Sequence, residues 1–213
     1  ELVFVGVALA AESSCPDFRI LFNSMAAMAT VNHFHLHGFY CSKAELPQES
    51  LPIELAPRQT ITNIGTDRFR IRIDRVVSES WYVQALVASA QVDRGSCSEQ
   101  AENVLAARRA CAGVVGCIVE DLQGQNIAHN VMFSAARSAG RLAGSWRQGD
   151  PAQVEDVALE TVAEVFVVPR CLETEMGEDA GLNSGVLECC GLIVPHSAEL
   201  YESFTEEEVS GIF

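Results

Sequence analysis

Apolar and polar positions along the chain form short runs, punctuated by Pro, Gly and Ser. Residues 1–13 (ELVFVGVALAAES) are apolar almost throughout and predict the end of a buried helix, broken by Ser13, Ser14, Cys15, Pro16 and Asp17. FRILFN (18–23) predicts a strand and SMAAMATVN (24–32) a loop of small residues. HFHLHGFY (33–40) alternates with period two and predicts a second strand, antiparallel to the first. Residues 41–58 carry Pro47, Pro52 and Pro57 and read as a loop or extended excursion. FRIRIDRV (69–76) predicts a half-exposed strand and SWYVQALVAS (80–89) a more buried one. A helix is expected from Ser98 to about Gly116, with Glu99 and Glu102 near its start, where carboxylates suit the macrodipole. NIAHNVMFS (126–134) and VAEVFVVPR (162–170) predict strands, with loops over 135–151 and 173–185. VLECCGLIV (186–194) is apolar and leads to YESFTEEEVSGIF (201–213), expected to be a helix capped at Thr205. Together these elements predict one α+β domain over 1–213, an antiparallel sheet flanked by a few helices.

The first run resembles a signal-peptide core, but it has no basic leader, and about ten apolar residues are too few to span a bilayer. It opens on Glu1, and the chain is expected to be the C-terminal part of a longer protein. With 213 residues, 48% of them hydrophobic and 20% charged, there is enough apolar material for a full core. The net charge of −15, from 14 basic and 29 acidic residues, would repel a nucleic-acid backbone. A small nucleotide is compatible with that field, because imidazoles and main-chain N–H groups can hold a phosphate locally. Lys43 is the only lysine, so a phosphate clamp would rest on Arg, His or backbone. Eight cysteines without a CxxC pair read as scattered thiols in a reducing, cytoplasmic setting rather than a disulfide frame.

Chemistry concentrates at His33-Phe34-His35-Leu36-His37, which holds three of the five histidines. On a strand, alternate side chains share a face, so the three imidazoles would line one side and Phe34 and Leu36 would enter the core. A purely structural role fits a single histidine better than three in alternation. Metal binding is an alternative, since imidazole is the commonest metal ligand, but a further ligand would be needed and only His129 and His196 lie elsewhere. A nucleophilic role accounts for more. A neutral imidazole can attack phosphorus and split one displacement into two. Neighbouring imidazoles disfavour a second proton by repulsion. A backbone carbonyl can hold the other ring nitrogen as a donor, and the outer histidines can donate to developing charge.

The stretch FNSMAAMATVNHFHLHGFY (22–40) resembles the signature of the histidine-triad superfamily: strand, small-residue loop, then three alternating histidines. Asn before the first His and Gly-aromatic-Tyr after the last are similar to the GDP-hexose phosphorylases. The three-histidine form looks like the GDP-D-glucose branch, since GDP-L-galactose phosphorylases tend to carry Gln at the position of His37. NIAHNV (126–131) resembles a family strand motif. LNSGVLECCGLIV (182–194) resembles the family's C-terminal Glu-x-x-Gly-His motif, with Glu188 and Gly191 in place and Leu192 where His is expected.

This resemblance implies a histidine-triad-like sheet lacking its N-terminal strands. It implies that His35 is the guanylylated nucleophile, that His33 positions it, and that His37 meets the phosphate or leaving group. Asn23, Thr30 and Asn32 match positions that contact nucleotide phosphate or ribose, and each also suits a loop or cap role. His129 is expected to be a strand residue. The implied reaction is phosphorolysis of GDP-D-glucose to GDP and glucose 1-phosphate, with no metal or organic cofactor. The expected partners are a GDP-hexose and inorganic phosphate, with no nucleic acid and no membrane; pairing of protomers, common in the superfamily, stays open. A hydrolase or nucleotide-binding relative and a non-catalytic metal-binding protein are the alternatives.

Overall fold

The computed structural model describes residues 1–13, 15–29, 31–44, 46, 49–77, 81, 83–93, 97–135, 159–170, 185–192, 197 and 199. The elements in chain order are α1 (Leu2–Glu12), β1 (Phe18–Asn23), β2 (His37–Tyr40), a 3-10 turn (Cys41–Ala44), α2 (Pro52–Leu55), β3 (Arg58–Gly65), β4 (Phe69–Val76), β5 (Leu86–Asp93), α3 (Cys97–Gly124), β6 (His129–Ala135), β7 (Leu159–Pro169) and α4 (Val186–Cys189). The strands form one open sheet in the order β2-β1-β6-β7-β5-β4-β3. Every neighbouring pair is antiparallel. The α+β architecture expected from the pattern is therefore present, as a seven-stranded antiparallel sheet with a few helices.

The sheet has two dissimilar faces. On one, α1 and α3 pack over Ile20, Val131, Phe133, Val165, Ala88 and Ile73 to form the larger apolar core. The closest approach is at Gly6 of α1, where a Cβ would lie 2.5 Å from the Phe133 ring; any side chain there would lift the helix off β6. On the other face, α2 and α4 cover Leu21, Met132, Phe166 and Val87. That second face also carries a polar row, Arg19-Ser134-Glu164-Ser89-Arg72-Asn63, one residue from each strand from β1 to β3 in register. Its first four members are buried, and each finds a partner. Arg19 Nε donates to Glu54 Oε1 at 3.0 Å, Ser134 Oγ to the same oxygen at 3.2 Å, and Ser89 Oγ to Glu164 Oε1 at 2.9 Å. Arg58 Nη1 meets Glu164 Oε1 at 2.7 Å. Burial pushes the Glu164 carboxyl up, but the Arg58 charge and the hydrogen bonds from Arg58 and Ser89 outweigh it and hold it below its usual value.

Several boundaries differ from those read off the pattern. The second strand was expected over 33–40, yet only His37–Tyr40 pairs. The ladder stops at Leu21 and His37, and residues 33–36 leave it although β1 runs on to Asn23 against β6. β3 had no counterpart in the prediction. It is an edge strand exposed from Gln59 to Gly65 on both faces, so it carries no period-two burial pattern to detect. β5 runs over Leu86–Asp93 instead of 80–89, because the apolar Trp81 docks on α4, its Nε1 donating to the Cys189 carbonyl at 3.2 Å. α3 continues to Gly124, past the expected end near Gly116. Glycines at 113 and 116 each cost about 1 kcal/mol in a helix, and packing on β4, β5 and β7 overrides that. The 41–58 excursion contains the 3-10 turn and α2 as well as coil. The expected helix over 201–213 and the loops over 136–151 and 173–184 lie outside the described residues.

Candidate functional site

β1 and β2 set up the site. Leu21 is the cross-strand partner of His37, and among the described residues β2 pairs with β1 alone, so the histidines stand at the edge of the described sheet. The loop between the two strands is anchored at its base. Ser24 N donates to His129 O at 3.0 Å and His129 N to Ser24 Oγ at 2.8 Å. Ala26 and Met28 take positive φ, 61° and 66°, which reverses the chain.

The three imidazoles come together although only His37 lies in a ladder. The rings of His33 and His35 are 5.6 Å apart and those of His35 and His37 are 4.8 Å apart, both edge-on. The intervening side chains turn to the opposite face: Leu36 joins the α1/α3 core, but Phe34, expected there too, stays 57% exposed and only stacks near Phe22 at 6.4 Å. His35 is half-buried while His33 and His37 are exposed. His35 Nδ1 lies 3.1 Å from the His33 carbonyl. A carbonyl only accepts, so Nδ1 carries the proton, and in the neutral ring Nε2 keeps its lone pair. At His37 partial burial, and then the charge of His35, lower the pKa below the usual histidine value.

The other sequence candidates are scattered by comparison. Asn23 is half-buried, and its Oδ1 accepts from Asn130 Nδ2 at 2.6 Å and from Val186 N at 3.1 Å, tying β1 to β6 and to the start of α4. Asn32 is exposed beside His33. Thr30 and His196 lie outside the described residues. His129 is buried on the other face against Phe22, its ring 6.3 Å away and its Nδ1 3.1 Å from Ile127 O; it is a strand residue and not a fourth member of the group. Glu188 is buried in α4, Gly191 follows with φ of 93°, and Leu192 packs on the α2/α4 core. Among the described residues, no three His, Cys, Asp or Glu side chains are grouped so as to hold a metal ion. Concavities of about 440 and 400 Å³ lie beside Gln59, Arg75 and Pro169 and beside Phe4, Phe22 and Gly113, with none of His33, His35 or His37 in their walls. No helix of the described residues is long and apolar enough to cross a membrane. Cys15, Cys41, Cys111, Cys117, Cys189 and Cys190 are free thiols.

Pattern reading missed Asn130 and Arg170, which meet behind Asn23: Arg170 Nη1 donates to Asn130 Oδ1 at 3.1 Å. The available signal was Asn130 itself, a polar residue next to the apolar run Val131–Phe133, buried completely.

The profile of a family described as GDPGP1-like, C-terminal domain, matches residues 52–213. GDP-L-galactose phosphorylase 1 of Arabidopsis thaliana is 28% identical over 213 residues, covering 96% of this chain and 37% of that protein. GDP-D-glucose phosphorylase 1 of Danio rerio is 26% identical over 212 residues, 99% of this chain and 50% of that one. GDP-D-glucose phosphorylase 1 of Bos taurus is 50% identical over 54 residues, 25% of this chain and 14% of its own. The chain thus spans half or less of the length of these relatives. No solved structure matches it.

Proposed function

The chain belongs to the GDPGP1-like C-terminal domain family, of the GDP-hexose phosphorylase kind, and from that premise we propose that it carries the nucleophile of a nucleotidyltransferase. The observation that supports this most is the His35 ring, held through Nδ1 on the His33 carbonyl with Nε2 available for attack. His35 Nε2 attacks the α-phosphorus of GDP-D-glucose, forming a P–N bond as the P–O bond to glucose 1-phosphate breaks. An oxygen of inorganic phosphate then attacks the guanylyl group, the P–N bond breaks, and GDP leaves. His37 meets the phosphoryl oxygens or the leaving oxygen, and His33 holds His35 in its tautomer. Asn23, Asn32 and Thr30 serve the nucleotide phosphate or ribose. The scheme uses no metal or organic cofactor. The relatives are named for two hexoses, and we favour glucose on the third histidine, His37. Free thiols suit a cytoplasmic, reducing setting.

The test is to incubate the full-length protein with GDP-glucose, quench before phosphate is added, and map adducts. A GMP adduct on the peptide bearing His35, discharged to GDP by phosphate and absent in His35→Ala, is expected. Turnover retained by His35→Ala sinks the proposal. GMP released in place of GDP would point to a hydrolase, with water as the acceptor.

A further inference from the structure

Three polar side chains are linked at the end of β1. Arg170 follows β7, Asn130 lies on β6 and Asn23 ends β1. Asn130 is fully buried and uses its whole amide. Its Oδ1 accepts from Arg170 Nη1 at 3.1 Å and lies 3.7 Å from the Cys189 thiol. Its Nδ2 donates to Asn23 Oδ1 at 2.6 Å and to Ala27 O at 3.0 Å. Arg170 has no acceptor to offer, so its guanidinium admits only the oxygen end of Asn130. Asn130 must then turn its NH₂ toward Asn23, and Asn23 must answer with its oxygen. Val186 N–H demands the same oxygen. The NH₂ of Asn23 is left facing the space over Gly185, where a Cβ would sit 3.6 Å from it and 3.3 Å from Glu188 Oε2.

The register gives this orientation a consequence. Leu21 pairs with His37, the last pair of that ladder, and Asn23, two residues further along β1, shares a face with Leu21 at the end of the strand from which residues 33–36 depart. A phosphoryl group attacked by His35 presents only acceptor oxygens. An amide offering NH₂ attracts it, and a flipped amide offering oxygen repels it.

We infer that Arg170 is a positioning residue, which fixes the direction of the Asn130 and Asn23 amides and so keeps a donor aimed at the transferred phosphoryl group. The inference rests on the nucleotidyl-transfer function proposed above. Arg170 acts here without touching the substrate.

The test uses the full-length protein and four variants: Arg170→Met, Arg170→Lys, Asn23→Ala and the double variant Arg170→Met with Asn23→Ala. Arg170→Met is expected to lower kcat about 3- to 10-fold, the worth of one hydrogen bond, with KM for the GDP-hexose little changed. Arg170→Lys, which also only donates, keeps most of the rate. In the Asn23→Ala background Arg170→Met adds nothing further. A second readout needs no turnover: the Asn23 side-chain NH₂ signals in ¹⁵N NMR shift or broaden in Arg170→Met and stay in place in Arg170→Lys. Multiplicative losses in the double variant, or Asn23 signals unmoved by Arg170→Met, overturn the relay. A native protein without phosphorolysis counts instead against the proposed function, and the NMR result still decides the role of Arg170.

Discussion

Replacing Arg19 by Met should unsettle the edge that carries the histidines. Arg19 sits on β1 opposite Phe39 of β2 and two residues before the partner of His37. Its side chain and that of Glu54 are 0% and 1% exposed, with Nε 3.0 Å from the carboxylate. The guanidinium also donates to Pro16 O at 2.8 Å and Phe18 O at 2.9 Å. Met fills similar volume but removes the guanidinium from the buried Glu54 carboxylate, whose remaining donors, Leu51 N–H and Ser134 OH among them, carry no charge to offset its own. Breaking a buried pair from one side costs about 3–5 kcal/mol, a large share of the roughly 5–15 kcal/mol that holds a domain together. In a chain of this size the melting temperature should fall by about 6–20 °C. Urea unfolding and thermal melts of Arg19→Met measure the loss directly. The double variant Arg19→Met with Glu54→Leu removes both charges and should regain most of the lost stability. A loss below about 1 kcal/mol in the single variant, or a double variant no better than the sum of the two singles, would refute the reasoning.

Two smaller predictions follow from the site and from α4. Imidazole ¹H–¹⁵N NMR should show His37 titrating below 6.5, its usual value, because burial and then the His35 charge disfavour its proton. In His35→Gln the midpoint should rise without reaching 6.5, since burial is the larger cause; a native midpoint at or above 6.5 contradicts the geometry. A folded-state pKa below the unfolded one means the unfolded chain binds the extra proton first, so this group erodes stability as pH falls from 6.5 through its lower midpoint. Gly191→Ala should cost about 1–3 kcal/mol of stability, from the φ of 93° and a Cβ placed 2.7 Å from the Trp81 ring and 2.8 Å from Pro52 Cβ. A melt of that variant indistinguishable from the native one would show that α4 is not seated as described.

What could be read from the sequence follows which strands are buried. β1, β4, β6 and β7 are wholly or largely covered, and their apolar or alternating runs were legible within a few residues. β3 is exposed on both faces from Gln59 to Gly65, and no element was assigned to it. The polar row Arg19-Ser134-Glu164-Ser89 was also invisible. Each residue looks like an ordinary polar position on its own strand, and only the register across four strands places them together. The same logic divides the candidate site. The histidine cluster was legible because its spacing is local: residues two apart in an extended chain share a face whether or not a ladder forms, so the rings meet even though β2 starts only at His37. Asn23 was legible as a candidate, but its surroundings were not, since Asn130, Arg170 and Val186 reach it across separations of 107 to 163 residues or through one another. Local spacing therefore identifies the atoms suited to chemistry, while the long-range register decides which way their neighbours' dipoles point. A substitution at Arg170 that spares every histidine is for this reason the sharper probe of how the sheet serves the site.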